Sequence, residues 1–261
     1  MSVFQPSLLT GRSALVTGGG TGICRGIATA LASVGCNVAV CSRSAEHLES
    51  AAAQISALGV QSLAVAADVR KPDEVGAAVA RTVEAFGRLD ILVNGAAGNF
   101  IALAENLSPN GFGTVIDIDL KGTFNVSRAA YPHLKARGGT ILNISATLQL
   151  LGTVGQSHAS AAKAGIDSLT RSLAVEWGPA GIRVNGLAPG PVHGTEGVRR
   201  LLSDEGRRLI ESRCPLGRLA TIDEVANAAV YLCSDASAFI AGVTLVIDGG
   251  LWLRSSQALG A

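Results

Sequence analysis

Short β-branched runs alternate with longer amphipathic stretches from one end of the chain to the other, and this alternation narrows the fold more than any other feature. SALVT (residues 13–17), NVAVC (37–41), SLAVA (62–66), LDILVN (89–94), TILNIS (140–145), IRVNGLA (182–188) and VTLVID (243–248) read as a set of about seven strands. Between them, AEHLESAAAQISAL from Ala45 and PDEVGAAVARTVEAF from Pro72 carry apolar residues at helical spacing, with Pro72 suited to a first helical turn. Strand and helix alternating in this way predict an α/β fold, a doubly wound sheet of about seven parallel strands with helices on both faces and right-handed crossovers. No polar linker breaks the pattern, so residues 1–261 are expected to form a single domain. A hydrophobic fraction of 48% with only 4% aromatic residues suits strands buried on both faces between tightly packed helices.

Bulk properties exclude several functions. A net charge of +1 offers no electrostatic footprint for nucleic acid or an acidic membrane surface. No apolar stretch approaches the roughly 18 residues of a membrane span, and MSVFQPSLLTGR has neither the charged start nor the apolar core of a signal peptide. The expectation is a soluble protein. Five scattered cysteines without a CxxC pair argue against a disulfide framework and for a reducing compartment. The histidines at 47, 133, 158 and 193 lack metal-ligand spacing, so no metal site is expected.

Directly after the first strand stands TGGGTGICRG, residues 17–26. A strand, a glycine-rich turn and then a helix form a phosphate-binding context of Rossmann type. Backbone N–H groups and the helix N-terminus face a pyrophosphate, and missing Cβ atoms allow its approach. Gly18 and Gly22 are the best candidates for close contact, within a cradle that includes Gly20, Thr21 and Ile23. An NAD-selective fold places Asp or Glu at the end of its second strand, roughly 20 residues past the glycines. Here that place reads Cys41-Ser42-Arg43, and no carboxylate occurs before Glu46. An arginine fork beside a hydroxyl matches a 2′-phosphate, which favours NADP(H), with Arg25 a second phosphate contact. The alternative is that Arg43 is a solvated surface charge.

TGGGTGI, AADV (66–69), NGAAG (94–98), the AxxxK ending at Lys163 and LAPGPVHGT from Leu187 together resemble the short-chain dehydrogenase/reductase family over nearly the whole chain. The resemblance implies that Asp68, with Val69, contacts the adenine and that Asn94 and Ala96 line the adenosine side. It also implies that Pro189, Gly190 and Val192 lie along the nicotinamide side. It further implies a homotetramer built on helices at 119–136 and 154–177, and a mobile substrate lid at 195–213.

The usual family machinery is Asn, Ser, Tyr and Lys, and of these only Lys163 is present. Ala159 stands for the tyrosine, Ala146 for the serine and Asp119 for the asparagine, and Cys24 replaces the third glycine of the phosphate loop. Ser145, beside Ala146, is expected to point the other way on its strand. This pattern resembles one subgroup, the 2,4-dienoyl-CoA reductases, most closely the peroxisomal type. The strings that carry the likeness are AAGNF (96–100), DIDLKGTFNVSR (117–128), NISATL (143–148), SHASAAKAG (157–165) and LAVEWGPAGIRVNGLAPGPVHGTEG (173–197). In that subgroup the residues matching Asp119 and Lys163 are the catalytic pair.

Reduction of a 2,4-dienoyl thioester explains why a tyrosine is dispensable. Hydride attacks Cδ, charge spreads to the thioester oxygen, and the proton arrives finally at Cα, so a phenol poised beside a ketone oxygen is not the donor required. The expected activity is NADPH-dependent reduction of an acyl-CoA substrate to a 3-enoyl-CoA, with Lys163 fixing the cofactor and, with Asp119, orienting a water. Asn99 and Phe100 are the expected substrate-side residues. The bland alternatives are a helix N-terminal carboxylate for Asp119 and a solvated helix charge for Lys163. Arg199, Arg200, Arg207 and Arg208 in the lid are read as a solvated face rather than as coenzyme A contacts. Two other functions stand beside this one: a family reductase with a different substrate, and an inactive NADP-binding partner subunit. Residues 252–261 are expected to be a loose tail. The ending Ala-Leu-Gly-Ala is unlike a peroxisomal address, which favours a bacterial cytoplasm or another soluble compartment.

Overall fold

The computed structural model describes residues 3–253. Seven strands form one all-parallel sheet in the order β3-β2-β1-β4-β5-β6-β7, as the alternation predicts. On the nucleotide side of the fold, β1 (Ser13–Thr17), α1 (Gly22–Ser33), β2 (Asn37–Ser42), α2 (Ala45–Ser56), β3 (Ser62–Ala66) and α3 (Pro72–Phe86) follow in turn. The chain then crosses to β4 (Ile91–Asn94), α4 (Pro109–Ile116), α5 (Gly122–Lys135), β5 (Thr140–Ile144), α6 (Ser157–Trp177) and β6 (Arg183–Pro189). Two short helices, α7 (Glu196–Leu201) and α8 (Asp204–Arg213), precede α9 (Ile222–Cys233) and β7 (Thr244–Ile247).

Strand periodicity sorts the core into two layers. Ala14, Val16, Val38 and Val40 face α1, α2 and α9 and pack with Ile27, Leu31 and Val225. Leu15, Ala39 and Cys41 face the opposite side and pack with Val79 of α3, Val126 of α5 and Leu173 of α6. Because both faces are covered, the strands read as continuous apolar runs rather than as alternating ones. Local chemistry sets the helix ends: Pro72 opens α3, and Gly87 closes it with φ 72°.

The helix expected from residue 119 begins earlier. Pro109 starts α4, Ser108 caps it by accepting from the Gly111 N–H at 3.0 Å, and the helix continues into α5 through a single π turn, Asp117–Lys121. One extra residue in that turn rotates everything before it relative to everything after it, a feature that recurs at functional sites. The expected loose tail falls mostly on 254–261, outside the described residues. Its first member, Trp252, is tied down by an N–H bond of 2.8 Å to Asp248 Oδ2.

Candidate active site

The strand order reverses between β1 and β4, and a cleft of about 870 Å³ opens there at the C-terminal ends of the strands. Its floor is the glycine turn. Gly18 has φ 70°, and a Cβ there would lie 2.7 Å from the Gly95 carbonyl oxygen, so no other residue fits. Gly20, Thr21, Gly22 and Ile23 continue along the wall. Thr21, at the N-cap of α1, makes no side-chain cap bond and no acid sits in the first turn, which leaves the positive end of that helix turned to the cleft.

Cys24 stands where a third glycine is usual, and the structure explains how it is accommodated. Its Sγ occupies the space that a Cβ on Gly95 would fill, 2.1 Å from that point. A glycine at position 95 leaves room for the thiol. Burial pushes the Cys24 thiol up to about 11, against a smaller opposing pull from Lys163. The thiol therefore stays neutral and does not repel an anion.

Arg43, exposed, borders the cleft with Ser42 and Ser44. Arg25 does not: its guanidinium bonds Gln54 Oε1 at 2.9 Å and Ser50 Oγ at 3.2 Å, because its position on α1 aims it at α2, and this corrects its reading as a phosphate contact. Asp68 and Val69 border the opposite wall. The Arg70 guanidinium, bonded to Asp68 at 2.9 and 3.0 Å, holds that carboxyl down to about 2. This pairing contributes stability that is fully present above the ordinary carboxylate range near pH 3.9 and is lost as pH falls towards 2. Arg70→Gln is expected to flatten the acid unfolding in that window, by a small amount because the guanidinium is exposed and screened by solvent. Urea titrations at pH 5 and pH 3 measure it.

Two expected contacts lie elsewhere. Ala96 borders the cleft, but Asn94 does not: its Nδ2 donates to Ser127 Oγ and Asn143 Oδ1, both at 2.9 Å, in a buried network between strand ends and helices. Asn99 lines the cleft, with a buried Oδ1 that has no partner. Phe100 instead stacks on His158, with ring centroids 4.4 Å apart, away from the cleft wall. Pro189, Gly190 and Val192 form the far wall, where a Cβ on Gly190 would come within 2.6 Å of Asp248 Cβ. Ser145 borders the cleft beside Ala146, while its buried hydroxyl lies against the Asp167 carboxyl of α6.

Lys163 and Asp119 form the chemical centre. Lys163 comes from the first turns of α6 and Asp119 from the π turn, and their side chains form an ion pair of 3.0 Å. Asp119 is only 1% exposed and Lys163 8%, so neither is a solvated charge and Asp119 is no helix-end carboxylate. Both Asp119 oxygens are engaged, Oδ2 by the lysine and Oδ1 by the Gly98 N–H at 2.7 Å. Lys163 Nζ also donates to the Ile144 carbonyl at 3.1 Å. An ammonium has three protons. One therefore remains for the cleft, which Lys163 borders and Asp119 does not. Ala159 packs with Val115 and Ala162, filling the tyrosine's position with a methyl group.

The cleft mouth runs past Thr195, which caps α7 by accepting from the Val198 N–H at 3.3 Å, and on to α8. Arg200 borders the mouth and pairs with Glu196 at 3.4 Å, and Arg207 reaches Asp204 and Glu211 at 3.7 and 3.6 Å. His47, Gly95 and Thr195 line the cleft without having been singled out beforehand. His47 was the most discoverable of them, one helical turn past Arg43.

Comparison with known proteins agrees with this architecture. The family described as Enoyl-(Acyl carrier protein) reductase matches residues 18–252. A peroxisomal 2,4-dienoyl-CoA reductase of Arabidopsis thaliana, named as (3E)-enoyl-CoA-producing, is 44% identical over 99% of this chain and 90% of its own length. Its namesake in Saccharomyces cerevisiae is 45% identical, over 95% and 87%. Among solved structures, a short chain dehydrogenase from Bacillus anthracis superposes with a TM-score of 0.85 at 41% identity, covering 94% of this chain and 98% of that one. A doubly wound sheet, a glycine cradle and a buried lysine at the cleft thus coincide with relatives matched over nearly their whole length, and the chain belongs to the short-chain dehydrogenase/reductase family as a reductase similar to peroxisomal 2,4-dienoyl-CoA reductases.

Proposed function

We propose that this reductase uses NADPH to convert 2,4-dienoyl-CoA to 3-enoyl-CoA. The observation that carries the reading is the buried Lys163–Asp119 pair at a cleft that Ala146 lines with a methyl group, while Ala159 is packed away beneath it. The residues suit a dinucleotide. Glycines stand where a Cβ would collide, a positive helix end faces the cleft, and the buried Asn99 Oδ1 holds unmet hydrogen-bonding capacity. Arg43, with no acid at the end of β2, supports NADP(H) over NAD(H).

When bound, the nicotinamide supplies a hydride to Cδ of the dienoyl thioester. Lys163 then presents a positive charge to the electron-rich dienolate. Its third N–H holds a water that gives its proton to Cα, and solvent at the open cleft replaces that proton. Asp119 is a positioning residue, because both of its oxygens are occupied and it does not border the cleft. It holds Nζ in place and aims its remaining N–H at the cleft. An inactive binding protein would gain nothing from retaining a buried ion pair, which is costly to desolvate.

A homotetramer through the outer faces of α5 and α6 and a lid formed by residues 195–213 complete the proposal. The buried free cysteines suit a reducing compartment.

The test is NADPH oxidation with a 2,4-dienoyl-CoA beside a 3-oxoacyl-CoA. Turnover is expected with the first and not with the second, which needs the missing phenol. Reduction of the oxoacyl thioester alone would overturn the assignment.

A further inference from the structure

Hydride addition to Cδ of a dienoyl thioester pushes an electron pair along the conjugated chain to the thioester oxygen. The pair returns when a proton bonds Cα, and one double bond is left between Cβ and Cγ. Between those two events the oxygen carries the charge, so a donor fixed beside it in advance stabilises the reaction where it needs it most. Lys163 is not that donor. Its three N–H groups go to Asp119, to the Ile144 carbonyl and to the water that serves Cα. Ala146 offers a methyl group, and the Ser145 hydroxyl is turned to Asp167.

Asn99 is a polar side chain still free beside this centre. It follows Gly98, whose N–H is bonded to Asp119 Oδ1 at 2.7 Å, and Asp119 Oδ2 in turn holds Lys163 Nζ at 3.0 Å. It precedes Phe100, whose ring stacks on the fully buried His158 with centroids 4.4 Å apart. The Asn99 backbone is thus pinned on both sides while its side chain lines the cleft. Among the described residues that side chain makes no hydrogen bond: Oδ1 is buried without a partner, and Nδ2 is free to donate.

We propose that Asn99 is a catalytic residue, its Nδ2 donating to the thioester oxygen and steadying the dienolate while Lys163 governs the proton. The inference rests on the dienoyl-CoA reading above. The thioester oxygen is two bonds from Cα, so its donor must stand close to the water that Lys163 holds, and Asn99 is one residue from the N–H that fixes Asp119. A carboxamide neither gives up a proton nor takes one near neutral pH. It therefore stabilises the charged oxygen without protonating it, which leaves Cα as the place where the proton arrives.

The test compares turnover of a 2,4-dienoyl-CoA at saturating NADPH in the full chain, in Asn99→Asp and in Asn99→Leu. Aspartate keeps the size and an acceptor but loses the donor, and leucine loses both. Because the amide bonds nothing in the protein, Asn99→Leu should unfold near the wild-type temperature. In both variants kcat is expected to fall about 10²–10³-fold, the cost of removing one such donor. A second readout needs no turnover. Dienoyl-CoA bound together with NADP⁺ should absorb at longer wavelength than free dienoyl-CoA, because the hydrogen bond polarises the conjugated carbonyl, and Asn99→Leu should shrink that shift. The proposal is overturned if Asn99→Leu keeps the shift, or if its loss is confined to NADPH affinity with kcat intact at saturation. A wild type that turns over no dienoyl-CoA would sink the substrate reading itself, whereas wild-type turnover matched by Asn99→Leu would sink only the role of Asn99.

Discussion

Lys163→Met is expected to lower turnover by roughly 10²–10⁴, the range for loss of a group that governs proton transfer. It should also destabilise the fold by about 3–5 kcal/mol, because Asp119, almost wholly buried, would keep a charge with no counter-charge. A lost activity could then be blamed on unfolding, and the double variant Asp119→Asn/Lys163→Met separates the two causes. Asparagine can still accept from the Gly98 N–H, the uncompensated charge is gone, and stability should return. Activity should not. Thermal unfolding and dienoyl-CoA turnover measured on all three proteins check this, and turnover restored in the double variant would show that the pair is structural.

Gly95→Ala carries the second large expected effect. The new methyl would meet Cys24 Sγ at 2.1 Å, with the Thr17 carbonyl oxygen at 3.1 Å and Ile144 Cγ1 at 3.3 Å. Overpacking of this kind costs about 1–3 kcal/mol, and here it also pushes the phosphate turn out of place, so cofactor binding should weaken. Cys24→Gly vacates the contested space. Placing both substitutions in one chain should recover part of the loss, the tight contacts with Thr17 and Ile144 accounting for the remainder. Urea unfolding of the two single variants and the pair gives the coupling, expected to be at least about 1 kcal/mol and favourable. Strict additivity would mean that Cys24 is not what reserves position 95 for glycine.

The sheet was legible because its physics is local and repetitive. Parallel strands covered on both faces must be apolar throughout, and each of the seven predicted runs contains or overlaps its strand to within two residues at either end. The glycine turn was legible for a related reason, since the first strand and the following helix supply its context. Legibility ended where a side chain's direction depends on the packing of distant elements. Arg25 is one turn from the phosphate loop in sequence, yet α2 draws its guanidinium away. Asn94 sits in a recognisable motif, but its amide serves Ser127 and Asn143. Phe100 could not be known to prefer His158. The π turn is the hardest case, because nothing in DIDLK disfavours an ordinary helix and only the pairing with Lys163 gives the extra residue a purpose.

The strand order also dictates a history for each newly made molecule. β1, at the centre of the finished sheet, can zip to β2 and β3 soon after they emerge, but its other edge waits for β4, joined across 77 residues by the Ser13 N–H to Asp90 carboxylate bond. The outer side of α1 waits longer still, since Gly26 is fitted against Ile222 of α9. At about 5–20 residues per second, synthesis leaves the nucleotide-binding half with an open strand edge for several seconds and an uncovered helix for longer. While β1 to α3 have emerged and β4 has not, the chain thus displays an unpaired strand edge and an uncovered helix, and chaperone capture should concentrate there.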